Sequence, residues 1–151
     1  MFLLSLRFSE VRDALGIILD SGNVPNIIGL QGIGKSELVR GYAGEMGYGF
    51  SELTCSLMQE GDLVMPFISK DSEGSEVVSY ALNEILRKVY SCASDYKYYI
   101  LFLDEFNRAS AQVQSELMNL VLQREIVGRR LPGNVRVVLA MNPSSDMDGY
   151  E

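Results

Sequence analysis

Apolar and polar positions recur along the chain in two periods, and the switches between them mark the elements. Val11, Leu15, Ile18 and Leu19 recur at helical spacing, which predicts an amphipathic helix capped by Ser9 and stopped near Gly22. Asn26-Ile27-Ile28 reads as a short buried strand running into the glycine-rich Gly29-Leu30-Gln31-Gly32-Ile33-Gly34. From Lys35 the helical period returns, with Leu38, Val39, Tyr42 and Met46 on one face and Gly47 closing the helix. Phe50 to Cys55 alternates as a strand. Gln59 to Gly74 contains Gly61, Pro66 and a run of Asp, Ser and Lys, and reads as an exposed loop.

A long helix is predicted next, with Val78, Leu82, Ile85 and Val89 on one face and Arg87 and Lys88 on the other. Tyr98 to Leu103 is continuously apolar, as in a strand covered on both faces. Ser110 opens another helix carrying Val113, Leu117, Leu120 and Val121. Ile126 to Asn134 is a basic turn, and Val135 to Met141 a last buried strand. Strands alternating with helices in this way predict an α/β fold, a parallel sheet with helices on both faces.

Composition narrows the function. The 151 residues fit a single domain, and 47% hydrophobic with 22% charged residues excludes a disordered tail or a disulfide scaffold. A net charge of -7 argues against nucleic acid as a partner of this chain alone. It leaves room for a small polyanion held by backbone N–H groups. The absence of His excludes Ser-His-Asp and Cys-His nucleophile pairs and a His-based zinc site. Cys55 and Cys92 match no metal-ligand spacing and read as buried, reduced thiols of a cytoplasmic protein. No apolar run approaches the roughly 18 residues that span a bilayer, so no membrane contact is expected. Met1 to Leu4 is too short for a signal-peptide core.

Gly29-x4-Gly34-Lys35-Ser36 satisfies the phosphate-loop pattern G-x-x-x-x-G-K-[ST] between a predicted strand and a predicted helix. Glycines let successive N–H groups turn inward toward a phosphate, and the helix adds the positive end of its dipole. The residues expected around the nucleotide are Gly29, Gln31, Gly32, Ile33, Gly34, Lys35, Ser36 and Glu37. Lys35 would reach the terminal phosphates of ATP or ADP, and Ser36 would ligate Mg²⁺. Asp104 and Glu105 end the strand Ile100 to Leu103, where open α/β sheets bind ligands. They are expected beside the strand that precedes the phosphate loop. Asp104 is the expected Mg²⁺ partner, and Glu105 the group that orients or deprotonates the attacking water.

The phosphate loop, Leu101-Phe102-Leu103-Asp104-Glu105-Phe106-Asn107-Arg108-Ala109 and Val138-Leu139-Ala140-Met141-Asn142-Pro143 together resemble a AAA+ ATPase of the MoxR-like and dynein-related branch. Gly61-Asp62-Leu63-Val64-Met65-Pro66 is similar to that branch's G-D-L-x-G-x-P, with Met65 in place of a glycine. The resemblance runs from about Asn26 to Tyr150. It implies that Lys35, Glu105 and Asn142 are catalytic, Asn142 as the γ-phosphate sensor called sensor 1. It implies that Thr54 or Ser56 holds the catalytic glutamate in an inactive pose. Arg108 would contact a neighbouring subunit or face solvent at a helix start.

The resemblance further implies an ATP-hydrolysing motor that remodels protein partners, commonly as a hexameric homo-oligomeric ring. It would also carry an arginine finger and a helical lid beyond the sensor 1 strand, often after a segment like Gly149-Tyr150. Residues 1–151 are therefore expected to be the α/β nucleotide-binding core without the lid, as a fragment or a minimal relative. With the lid goes a strand that would cover one sheet edge, which leaves an association hazard. Two other functions fit the same residues: a nucleotide-binding interaction module with little hydrolysis, and a GTP-dependent restriction-type motor.

Overall fold

Four of the expected strands assemble into one parallel sheet, and the first of them, Asn26–Ile28, is exposed at Asn26 and Ile28 and not buried as expected. The computed structural model describes residues 7–30 and 32–143. The strands are β1 (Asn26–Ile28), β2 (Gly49–Thr54), β3 (Val64–Lys70), β4 (Glu76–Leu82), β5 (Tyr99–Asp104), β6 (Glu125–Ile126), β7 (Arg129–Arg130) and β8 (Val135–Met141). The helices are α1 (Phe8–Asp20), α2 (Lys35–Met46), α3 (Glu84–Cys92) and α4 (Ala111–Gln123). The main sheet has the order β1-β8-β5-β2, with every pairing parallel.

Alternation along the central strands divides the core. On β5 and β8, Tyr99, Leu101, Leu103, Val135, Val137 and Leu139 pack with Leu86 and Val89 of α3 and Val113, Leu117 and Leu120 of α4. Ile100, Phe102, Val138 and Ala140 point the other way, onto Leu15 and Leu19 of α1 and Val39, Tyr42 and Ala43 of α2. Central strands covered on both faces read as continuous apolar runs because both sets of alternate residues are buried. Parallel strands also bring all four carboxyl ends to one edge, where the loops after β1, β2, β5 and β8 meet.

The structure corrects several sequence expectations. Arg7, not Ser9, caps α1, and its backbone N–H donates to the Glu10 carboxylate at 3.0 Å. Met46 is exposed on α2. Cys55 is buried and Cys92 half-buried; both are free. The expected loop from Gln59 to Gly74 and the first half of the expected long helix form an antiparallel hairpin, β3 on β4. Val78 and Leu82 are four residues apart, which suits a helix face and one face of a strand equally well. The hairpin turn is built by Asp71, whose carboxylate accepts from the N–H groups of Glu73 and Ser75, both at 2.9 Å. The helix starts only after Asn83, whose side chain accepts from the Ile85 N–H at 2.9 Å. The basic turn from Ile126 contains the small hairpin β6–β7. Finally, β5 does not neighbour β1: β8 lies between them. Among the described residues, no helix is long and apolar enough to cross a membrane.

Candidate active site

The loop between β1 and α2 requires glycine at two points. Gly34 caps α2 in the left-handed conformation, with φ 87°. A Cβ on Gly29 would collide with the Ile33 side chain. Gly29 also continues the β1–β8 ladder, donating its N–H to the Met141 carbonyl at 3.2 Å. Gln31 lies outside the described residues. Gly32, Gly34, Lys35, Ser36 and Glu37 line a cavity of about 270 Å³ together with Asp104, Glu105 and Asn142. Three segments distant in sequence therefore converge on one space, because β1, β5 and β8 end at the same edge. Gly29 and Ile33 belong to the same loop but are not among the lining residues.

Lys35 is buried at the first turn of α2. Its ammonium donates to the carbonyls of Gly29 and of Leu30, the latter at 3.2 Å, and to Asn142 Oδ1 at 3.0 Å. Burial pushes the ammonium below its ordinary range; Asp104 and Glu105 oppose that shift, and Arg108 adds to it.

Asn142 is clamped from behind. Its N–H donates to Asn107 Oδ1 at 3.2 Å, and its carbonyl accepts from Asn107 Nδ2 at 2.7 Å. Its own Nδ2 is buried without a hydrogen-bond partner among the described residues. A buried donor left unmatched costs about 1–3 kcal/mol. An anion in the adjoining cavity would supply the acceptor.

On the carboxylate side, Glu105 takes a left-handed backbone conformation, with φ 52°, which costs a non-glycine residue about 1–3 kcal/mol. The bend puts the Glu105 N–H on Asp104 Oδ1 at 2.8 Å. It leaves the Glu105 carboxylate accepting from the Ser56 hydroxyl. Of Thr54 and Ser56, the structure brings Ser56 to the glutamate. Burial raises the Asp104 carboxyl above its ordinary range, opposed by the Glu105 N–H; Glu52 and Glu105 raise it further, and Lys35 lowers it.

Two residues that sequence reasoning missed complete the site. Asn107 supports Asn142. Glu52 takes the Ser36 hydroxyl, which donates to it at 2.8 Å. Glu52 stands among Ser51 and Thr54 on β2 and offered no local signal of this contact. Asn107 offered none beyond its place in the Asp104–Ala109 phrase.

The raised Asp104 carboxyl has a measurable consequence. Where a folded-state acid is raised, ionisation opposes folding above that pKa, and the penalty vanishes at low pH where folded and unfolded forms are both protonated. Asp104→Asn keeps an acceptor for the Glu105 N–H and removes the charge. Without Mg²⁺ or nucleotide, it is expected to melt higher than wild type near neutral pH, by about 2–4 °C for each kcal/mol relieved. The gap should close as pH falls below the ordinary carboxylate range. Thermal melts at three pH values check this, and a gap independent of pH would refute it.

Comparison with known proteins bears on the family and the fold. The family described as AAA domain (dynein-related subfamily) matches residues 26–149. Three solved structures of NtrX from Brucella abortus share the fold. One is 17% identical with TM-score 0.59, over 95% of this chain and 32% of the other. One in complex with ADP is 14% identical with TM-score 0.58, over 96% and 32%. One in complex with ATP is 15% identical with TM-score 0.59, over 97% and 31%. The chain spans about a third of the length of these structures. No curated protein matches it significantly.

Proposed function

We propose that this chain, which belongs to the dynein-related subfamily of AAA domains, binds ATP and ADP with Mg²⁺ and is the hydrolytic core of a cytoplasmic motor. The observation that carries the reading is the convergence of Gly32, Gly34, Lys35, Ser36 and Glu37 with Asp104, Glu105 and Asn142 on one cavity. The residues fit a magnesium triphosphate. Lys35 supplies a buried cation, Asn142 Nδ2 an unmatched donor, and the first turn of α2 further N–H groups. Among the described residues, no cluster of three His, Cys, Asp or Glu could hold a metal by itself. That suits Mg²⁺, which takes one or two protein oxygens and completes its shell with phosphate and water. Ser36 and Asp104 would hold it, and it would supply charge neutralisation at the phosphates.

The division of labour follows from what each group already does. Lys35 and Asn142 are linked, so one terminal phosphate oxygen set could engage both. Glu105, once released from Ser56, is the base that orients a water toward the γ-phosphate. In this reading a homo-oligomeric ring, commonly a hexamer, and the remodelled protein partner belong to the assembled motor. A second reading, a nucleotide-binding module that hydrolyses little, draws on the Ser56–Glu105 contact, which engages the base.

Calorimetry of the 151-residue chain with ATP, ADP and GTP, each with Mg²⁺ and with chelator, tests the proposal alongside a phosphate-release assay. Mg²⁺-dependent binding of ATP and ADP is the expected result. No binding of any nucleotide would overturn it, preference for GTP would favour a restriction-type motor, and binding without release would favour the module.

A further inference from the structure

Glu52 stands on the edge strand β2, on the side that faces α2. Ser36 and Arg40 are one helical turn apart on α2, so both reach the same point. One carboxylate receives both. Glu52 Oε1 accepts from the Ser36 hydroxyl at 2.8 Å, and Oε2 accepts from the Arg40 guanidinium at 2.7 Å. The Glu52 side chain is 21% exposed against 58% for Arg40, so the pair is shielded on the glutamate side. Arg40 also lies over the Phe50 ring, 5.6 Å from its centroid, which fixes the guanidinium from a second direction.

Asp104 does not take the Ser36 proton: its Oδ1 accepts from the Glu105 N–H at 2.8 Å, and the Ser36 hydroxyl donates to Glu52. That choice of partner matters for a metal ligand. A hydroxyl has one proton and two lone pairs, and a cation accepts only the lone pairs. Donation toward β2 turns the proton away and raises the electron density left on Ser36 Oγ, as outer carboxylates do for metal ligands generally. Glu52 does not line the cavity, and its two oxygens are turned to Ser36 and Arg40, so the glutamate acts through Ser36.

We propose that Glu52 is a positioning residue of the magnesium site, which, steadied by Arg40, accepts the Ser36 hydroxyl hydrogen bond and leaves the Ser36 lone pairs to the cation. This rests on the magnesium–nucleotide reading of the preceding section. The test is a Mg²⁺ titration of the 151-residue chain with a fluorescent ADP analogue, repeated in chelator.

Glu52→Ala is expected to raise the Mg²⁺ concentration at half-effect by about 10- to 100-fold without weakening metal-free binding of the analogue. Glu52→Gln should restore most of the loss, since its amide oxygen still accepts from Ser36. In a Ser36→Ala background, Glu52→Ala should have no further effect. Should Glu52→Ala not fold, Arg40→Ala tests the same linkage and should shift the half-effect in the same direction.

An unchanged half-effect in the folded alanine variants overturns the proposal alone. A glutamine variant as poor as alanine also overturns it, because an acceptor for the Ser36 hydroxyl would then not be what the magnesium site needs. A wild-type chain that binds the analogue equally with and without Mg²⁺ overturns the magnesium reading itself, and this proposal with it.

Discussion

Lys35→Ala is expected to weaken binding of Mg–ATP by about 100-fold while leaving a folded chain. Among the described residues that line the cavity, Lys35 is the one cation, against the carboxylates of Glu37, Asp104 and Glu105. A triphosphate entering that lining meets more negative charge than positive, so removing Lys35 leaves repulsion where there was attraction. Hydrogen bonds to charged groups contribute about 1.5–3 kcal/mol each, and about 2.8 kcal/mol corresponds to 100-fold. The variant should still fold, because the Gly29 and Leu30 carbonyls are loop groups near a cavity that water can enter. Only Asn142 Oδ1 loses a buried partner. Calorimetry beside circular dichroism separates the two effects. Equal affinity in wild type and variant would remove Lys35 from the phosphate site and refute phosphate binding by this loop.

The legible parts of this protein were those where one physical pattern had one structural meaning. Tyr98 to Leu103 is apolar on both alternations and Val135 to Met141 is so except at Arg136, as strands between two layers are, and both became central strands. The phosphate loop was legible because a Gly-rich turn before a helix with Lys and Ser has few other uses. The hairpin was misread because Val78 and Leu82 obey both periods. Its apolar residues are also exposed, with Ile68 at 72% and Val78 at 62%, so no buried face marked the strands. Strand order was misjudged because nothing local in Asp104 or Gly29 says that β8 will lie between their strands. The role of Glu52 was invisible for a related reason: it exists only once β2 and α2 pack side by side.

Glu105→Gln is expected to leave ATP affinity within about twofold and to cut turnover by about 10²–10⁴-fold, the usual contribution of a general base. The substitution keeps the length and one acceptor oxygen, so the Ser56 hydroxyl still has its partner and the left-handed turn at Glu105 is undisturbed. What it removes is the ability to take a proton from water. Ser56→Ala supplies the opposite test at the same contact. It deletes the hydroxyl that holds Glu105 and leaves the base intact, so basal turnover should rise without a gain in affinity. Together the two variants separate chemistry from restraint: one loses the base, the other frees it. Phosphate release measured under single-turnover conditions on the 151-residue chain, with nucleotide affinity measured in parallel, reads both. Retained turnover in Glu105→Gln would move the base to another residue. A fall in turnover in Ser56→Ala would mean that the hydroxyl orients Glu105 for catalysis instead of restraining it.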